Sequence, residues 1–347
     1  MRTALKAVAV TAATALVLFV PIPARAAVTN DERAGWAAGY ISSFQRTNGS
    51  IPAFSTIGST ADAVVALVVA HRGPTNIKKA LNYLARRVHD GSVDAAPAYD
   101  KVGLQAKIVL AVAAAGQNPR AFGGVDLVQA ILDAEQPDGR YGSATGVFNH
   151  AYAMLALEAA GVPPSANARG WLLDAQCGDG GWQYSGPPGP ADDSHCVDTG
   201  APLSDWFASD TNTTSLAVQA LEAGSGAQSK VDPFTFFDAL RDDGFGGWGY
   251  TWAYSSTDAN STGLVVQAYA AAGHTLPVGA LAALKRLQYK YCGAFAYNWG
   301  TSGASPVLGP PNIGATLAGL LGILKQPLPV AATAVTKPAP APMGCPS

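Results

Sequence analysis

The sequence predicts an all-α fold, a single (α/α)6 toroid in which six helical hairpins set an inner ring of parallel helices inside an outer one. Three observations carry this prediction. An Ala-rich apolar segment closed by glycine recurs at Gly73, Gly116, Gly161, Gly224, Gly273 and Gly322, and glycine suits the left-handed residue that ends many helices. The interval is 43–49 residues, the length of a two-helix repeat, except before Gly224, where an insertion lengthens it to 63. Charged residues make up 13% of the chain against about 25% in ordinary soluble domains, so many helices must face helices rather than water.

Upstream of the repeats, Arg2 and Lys6 precede an apolar run from Ala7 to Val20, followed by Ala24-Arg25-Ala26. The run is short for a bilayer span, and the pattern is that of a cleaved signal peptide over residues 1–26. A secreted protein with no transmembrane anchor after cleavage is expected. In the oxidising environment that export implies, Cys177, Cys196, Cys292 and Cys345 are disulfide partners rather than metal ligands. Four cysteines allow three pairings, of which Cys177–Cys196 and Cys292–Cys345 are favoured.

The repeats occupy residues 27–326. Asp31 to Gln45 forms the first helix, with Trp36, Tyr40, Ile41 and Phe44 on one face. Asn48-Gly49 turns the chain into a partner helix from about Ser59 to His71, apolar nearly all round and so buried on several sides. Asp62 is its only charge before the end. Asn76 to Val88 pairs with Val102 to Ala115, and Val125 to Gln136 pairs with Val147 to Ala160 across the turn Gln136-Pro137-Asp138-Gly139.

In the fourth unit Ser165 to Gln176 precedes an excursion over 184–209, rich in Pro, Gly and Asp, which reads as a surface loop pinned by Cys177–Cys196. Its second helix runs from Thr213 to Ala223. The fifth unit turns at Trp248 between a helix ending near Arg241 and one running from about Asp258 to Gly273; the sixth pairs Val278 to Tyr289 with Asn312 to Leu321. Residues 327–347 are Pro-rich and form an extended tail. Short loops make sequential helices antiparallel. The second helix of each pair is the more uniformly apolar and belongs inside; the first, carrying Lys78, Lys79, Arg86, Arg169, Lys285 and Arg286, belongs outside. Closing the ring removes the exposed ends of an open solenoid.

Arg169-Gly170-Trp171-Leu172-Leu173-Asp174-Ala175-Gln176, followed by Gly178-Asp179-Gly180-Gly181-Trp182, resembles the Gln–Trp repeat of the squalene-cyclase and protein-prenyltransferase superfamily. The resemblance covers all six units. Gln45, Gln136, Gln176 and Gln288 end outer helices as the repeat's glutamine does, and Tyr141, Trp182, Trp248 and Phe295 hold the aromatic position after the turn. It implies the same toroid, with glutamines tying one repeat to the next. Asp258-Ala259-Asn260-Ser261-Thr262-Gly263-Leu264 is also similar to an inner helix of the bacterial toroids related to cobalamin carriers.

Two departures shape the functional expectation. The cyclases protonate an alkene through an Asp-x-Asp-Asp motif at an inner-helix start, and here the matching stretches place Asn212 and Asn260 at the acidic position, where an amide has no proton to give as a general acid. The prenyltransferases hold zinc with Asp, Cys and His, and no Asp-x-Cys occurs here, so no metal and no cofactor is implied.

Inner-helix starts gather at one mouth of a toroid, which collects Asp62, Asn149, His150, Asp210, Asn212, Asp258 and Asn260. Taken singly these residues cap helices; as a ring they suit the polar end of a ligand whose apolar part enters the cavity. Gln219 and Gln267 sit at matching positions inside inner helices, where an amide either bonds between helices or grips a ligand. The formal charge of −2 gives no footprint for nucleic acid. The resulting expectation is a secreted toroid that binds an apolar or small organic ligand in its central cavity without catalysis. The alternatives are a terpenoid- or glycan-processing enzyme working from Asp210, Asp258 and His150, and an exported interaction protein.

Overall fold

The computed structural model describes residues 28–142, 146–185, 208–224, 228–302 and 305–346. Residues 1–26, expected to be a signal peptide, lie outside the described residues, as do Cys196 and most of the 184–209 excursion, and with them the expected Cys177–Cys196 pairing.

Outer helices α1 (Asn30–Ser43), α3 (Pro74–His89), α5 (Leu127–Leu132), α7 (Ala166–Asp174), α9 (Pro233–Ala239) and α11 (Ala280–Arg286) alternate along the chain with inner helices α2 (Thr56–Val69), α4 (Ala98–Ala114), α6 (Val147–Ala159), α8 (Thr211–Gly224), α10 (Ala259–Ala271) and α12 (Ile313–Ile323). Each inner helix packs against the next, and α12 returns to α2. This is the six-hairpin toroid that the glycine-closed repeats predict.

Local chemistry sets the element ends. Thr29 opens α1 with a capping box, its hydroxyl accepting from the Glu32 N–H while the Glu32 carboxylate accepts from the Thr29 N–H. On α3, Ile77, Ala80, Leu81, Leu84 and Val88 are buried and Lys78, Lys79 and Arg86 are exposed, the one-faced pattern of an outer helix. The later outer helices are shorter than expected. Gly279 adopts φ +88°, a left-handed conformation that keeps Val278 out of α11 and delays the helix to Ala280.

The inner and outer rings are stitched by one bond that recurs at the same place in the repeat. The backbone N–H of the residue after the turn donates to a side chain of the inner helix: Ile51 to Thr60 Oγ1 at 2.9 Å, Trp182 to Thr214 Oγ1 at 2.9 Å, Trp248 to Thr262 Oγ1 at 3.0 Å and Phe295 to Thr316 Oγ1 at 2.9 Å. The indoles of Trp182 and Trp248 are fully buried and donate back to the outer helix, to Leu172 O and Phe237 O, each at 2.7 Å.

Small antiparallel pairs decorate the hairpin loops. β1 (Trp182–Gln183) pairs with β2 (Ser209–Asp210), which brings the two ends of the excursion together beside the start of α8. β3 (Phe295–Ala296) pairs with β6 (Pro311–Asn312), and β4 (Trp299–Ser302) with β5 (Ser305–Leu308). The last of these is a hairpin that the sequence analysis did not anticipate; Trp299 anchors it by stacking on Phe245, with centroids 5.2 Å apart.

The Pro-rich tail lies across the C-terminal ends of the inner helices. The Leu328 N–H donates to Gln219 Oε1 of α8 at 2.9 Å, and the Gly73 N–H beyond α2 donates to Lys337 O at 2.8 Å. Pro340 presses on α1 at Gly39, where any Cβ would collide with its carbonyl oxygen. The Cys292–Cys345 disulfide then fastens the end, one of the two pairings the sequence favours.

Candidate functional site

The toroid encloses a cavity of about 570 Å³ walled by α2, α4, α6, α10 and α12. Val65, Leu110, Leu264, Leu317, Leu321 and the tail residue Leu328 give it an apolar interior. Polar side chains interrupt it, among them Ser59, Asn260, Gln267 and Asn312, and Asp62 supplies the one carboxylate among the lining residues.

Asp62 Oδ2 accepts from Lys107 Nζ at 2.8 Å, and the ammonium lies 4.9 Å from the centre of the Tyr152 ring. Burial works against the charge on Lys107, but Asp62 and the Tyr152 oxygen outweigh it and raise the ammonium above its ordinary pKa. The lysine is therefore a fixed cation inside an apolar chamber. Lys107 and Tyr152 escaped the sequence analysis, which treated the inner helices as uniformly apolar; a lone lysine within the run from Val102 to Ala115 was the available signal.

Asp210 and Asp258 occupy equivalent places at the starts of α8 and α10. Each turns one carboxylate oxygen onto its own helix, Asp210 Oδ1 accepting from Thr213 N and Asp258 Oδ1 from Ser261 N, both at 2.7 Å. Burial pushes both carboxyls up to about 7, although these N–H bonds pull the other way. Asp210 Oδ2 is buried and meets no donor among the described residues. Asp258 is the better placed for chemistry, because its neighbours open onto the cavity. Asn260 and Tyr297 both line it, and the Ala259 N–H donates to Tyr297 O at 2.8 Å. Burial, and behind it the nearby Asp258, raise the Tyr297 phenol to about 12.

Of the residues expected to meet a ligand, the structure brings Asp62, Asn260 and Gln267 into the cavity lining and leaves Asn149, His150, Asp210, Asn212, Gln219 and Asp258 outside it. His150 has a different task. Its Nδ1 accepts from the Tyr141 N–H at 3.1 Å, so it fills in the third unit the place that Thr60, Thr214, Thr262 and Thr316 fill in theirs. Nε2 then carries the proton and faces Ala168 O at 3.0 Å. Burial holds the imidazole down at about 4. A neutral ring with both nitrogens committed to backbone cannot serve as a mobile acid or base, which corrects its inclusion among the candidate catalytic groups. Asn149 packs on Gly103 of α4, where a Cβ has no room.

Among the described residues no group of three or more His, Cys, Asp or Glu side chains is placed to hold a metal ion, and no helix is long and apolar enough to cross a membrane.

No protein-family model and no curated protein matches the chain. The fold, however, recurs in solved structures. A type II terpene cyclase from Scytonema, solved with geranylgeranyl dihydroxybenzoate, superposes with a TM-score of 0.54 at 14% identity, covering 85% of this chain and 97% of that one. An α-1,6-mannanase of Salegentibacter sp. HEL1_6, solved with α-1,6-mannotriose, gives a TM-score of 0.52 at 12% identity over 85% of this chain and 98% of its own. A protein from Actinoplanes gives 0.55 at 14%, covering 85% and 98%.

This chain therefore has the α/α toroid fold that the Gln–Trp resemblance implies. The same comparisons overturn the expectation of ligand carriage without catalysis. The same toroid is found in a mannanase and in a terpene cyclase, two different chemistries. The absence of one cyclase motif and one zinc triad is thus no argument against catalysis.

Proposed function

We propose that the chain is an exported enzyme that processes a largely apolar, isoprenoid-like substrate in the central cavity, with Asp258 as the acid at its mouth. The observation that carries this reading is the meeting of an apolar chamber with a buried carboxyl whose flanking residues, Asn260 and Tyr297, form part of the chamber wall. A carboxyl raised to about 7 is protonated in about half of the molecules at neutral pH, and that form can give its proton to an acceptor. Proton transfer to a substrate double bond leaves a carbocation and an Asp258 carboxylate, and that carboxylate is stabilised by the Ser261 N–H at 2.7 Å and by the positive end of α10. The cation then closes a ring or isomerises, and returns a proton.

The Asp62–Lys107–Tyr152 cluster adds one fixed charged group to the chamber wall. A glycan substrate is disfavoured by the lining itself. Glycoside hydrolysis uses two carboxyl groups about 5–9.5 Å apart, whereas besides Asp258 the cavity offers only Asp62, already tied to Lys107.

The test is incubation of the purified full-length chain with geranylgeraniol in deuterated buffer, followed by mass spectrometry. The expected result is an isomeric product carrying deuterium, lost in Asp258→Asn. Release of mannose from α-1,6-mannan, dependent on Asp258, would replace this reading with the glycan one.

A further inference from the structure

Gln219 and Gln267 are the same residue of two neighbouring repeats, and each is almost wholly buried, at 0% and 1% exposure. Both point their amide nitrogen back along their own helix. Gln219 Nε2 donates to Ser215 O and Gln267 Nε2 to Gly263 O, each at 3.1 Å. Flipping either amide would set oxygen against carbonyl oxygen, so the orientation is fixed. In both, Oε1 is the atom left to accept from another donor.

The chain then treats the two differently. Gln219 Oε1 accepts from the Leu328 N–H at 2.9 Å, a donor brought in by the tail from 109 residues away. Gln267 Oε1 meets no donor among the described residues, although a buried amide oxygen calls for one. Gln267 lines the cavity, and so does Leu328, the residue that satisfies its twin. The orphan oxygen thus belongs to a residue of the chamber wall, the wall to which the tail contributes Leu328. Along α10 the lining residues are Asn260, Leu264 and Gln267, successive contacts on one helix face. Seven residues of helix separate the mouth amide from the deep one by about 10 Å.

We infer that Gln267 is a specificity residue, and that the substrate carries a hydroxyl at its buried end, which donates to Gln267 Oε1 as the Leu328 N–H donates to Gln219. The inference rests on the reading of the cavity as the site for an apolar substrate and names the class within it: an apolar alcohol entering hydroxyl-first, rather than a hydrocarbon or an ether. A site built to hydrogen-bond a hydroxyl discriminates against the analogue that lacks it, because the protein group is then left buried and unpaired.

The experiment compares farnesol with farnesyl methyl ether, which share the chain and differ in the donor, by calorimetric titration of the full-length, disulfide-bonded protein. Farnesol is expected to bind about tenfold more tightly, the equivalent of one neutral hydrogen bond. Gln267→Met, which keeps the side-chain length and removes the acceptor, should bind both probes alike, whereas Gln219→Met should keep the preference. Binding of both probes without preference by the unmodified protein, or a preference that survives Gln267→Met in protein with an unchanged circular dichroism spectrum, would overturn the inference while leaving the apolar cavity standing. Failure of both probes to bind would overturn it together with the reading on which it rests.

Discussion

The third repeat uses an imidazole where four others use a threonine hydroxyl, and the substitution explains why His150 is buried and neutral. Tyr141 offers its N–H to His150 Nδ1, and Nε2 reaches Ala168 O on α7, a second bond that a threonine is too short to make. Removing the ring in His150→Ala strands both backbone groups and leaves a void, so it is expected to cost about 3 kcal/mol in urea unfolding. At pH 7 it should leave probe binding by the folded protein unchanged. The carboxyls of Asp210 and Asp258 carry the opposite pH signature. Their folded pKa of about 7 stands above the usual value of 3.8, so the stability they contribute is full below about pH 4 and is lost as pH rises through 7. His150, held down at about 4 from 6.5, contributes stability above 6.5 that is lost as pH falls through 4. In the proposed reaction turnover follows protonated Asp258. It should fall about tenfold per pH unit above 7, and a pH–rate profile that stays flat from 6 to 8 would exclude Asp258 as the acid. None of this was legible in the sequence, where His150 looked like one more polar residue at an inner-helix start and burial could not be read from one position.

Repeat-to-repeat links give each hairpin its place in the ring, and here the sequence was more informative. Gln45 Nε2 donates to Asn76 O at 2.9 Å, Gln176 Nε2 to Val231 O at 2.7 Å and Gln288 Nε2 to Arg33 O at 2.9 Å, so three of the four glutamines bind the next unit as the resemblance implied. Gln288 is the one that closes the circle, since Arg33 belongs to the first helix. Gln136 behaves otherwise, donating only to Ala134 O within its own turn, and the neighbouring Glu135 takes the link by accepting from the Ser165 hydroxyl. In the fifth unit Arg241 stands in for glutamine, with Nη2 donating to Val278 O at 2.6 Å and Nε to Gly246 O at 3.2 Å. Glycine-closed helices and apolar spacing revealed six hairpins because these are local properties of the chain. A link that changes residue type while keeping its geometry leaves no such pattern, and neither does a short hairpin such as β4–β5. Gln288→Ala should therefore cost about 2–3 kcal/mol and increase amide exchange in α1, while Gln136→Ala should cost under about 1 kcal/mol. Similar losses at the two positions in chemical denaturation would show that ring closure does not depend on the glutamine.

For the whole molecule the governing feature is that one mouth of the toroid is filled by the protein's own end. The tail contributes Leu328 to the cavity wall, crosses α8 and the ends of α2 and α1 through Gln219, Gly73 and Gly39, and is fastened at Cys345 to Cys292 over a separation of 53 residues. Its Pro-rich composition predicted an extended segment, but nothing in that composition told where the segment would lie. The backbone bonds that place it are made to residues far off in the chain. A loop of this length removes roughly 4 kcal/mol of chain entropy from the unfolded state, so reduction should lower stability by up to about that amount. It should also act on the site. With Cys345→Ser the tail is held by its backbone bonds at Gly73 and Gln219 and by the packing of Leu328, Val330, Val335 and Pro340, and its partial release opens the floor beneath the apolar chamber. The ring itself is held by inner-helix packing that does not involve the tail, so far-ultraviolet circular dichroism at room temperature should be preserved. What should change is access: cleavage by trypsin after Lys325 should accelerate, and the dissociation rate of bound farnesol should rise about tenfold, the effect of losing one contact of about 1.4 kcal/mol. Unchanged dissociation in Cys345→Ser, with the tail still protected from trypsin, would show that the non-covalent contacts alone keep the chamber closed.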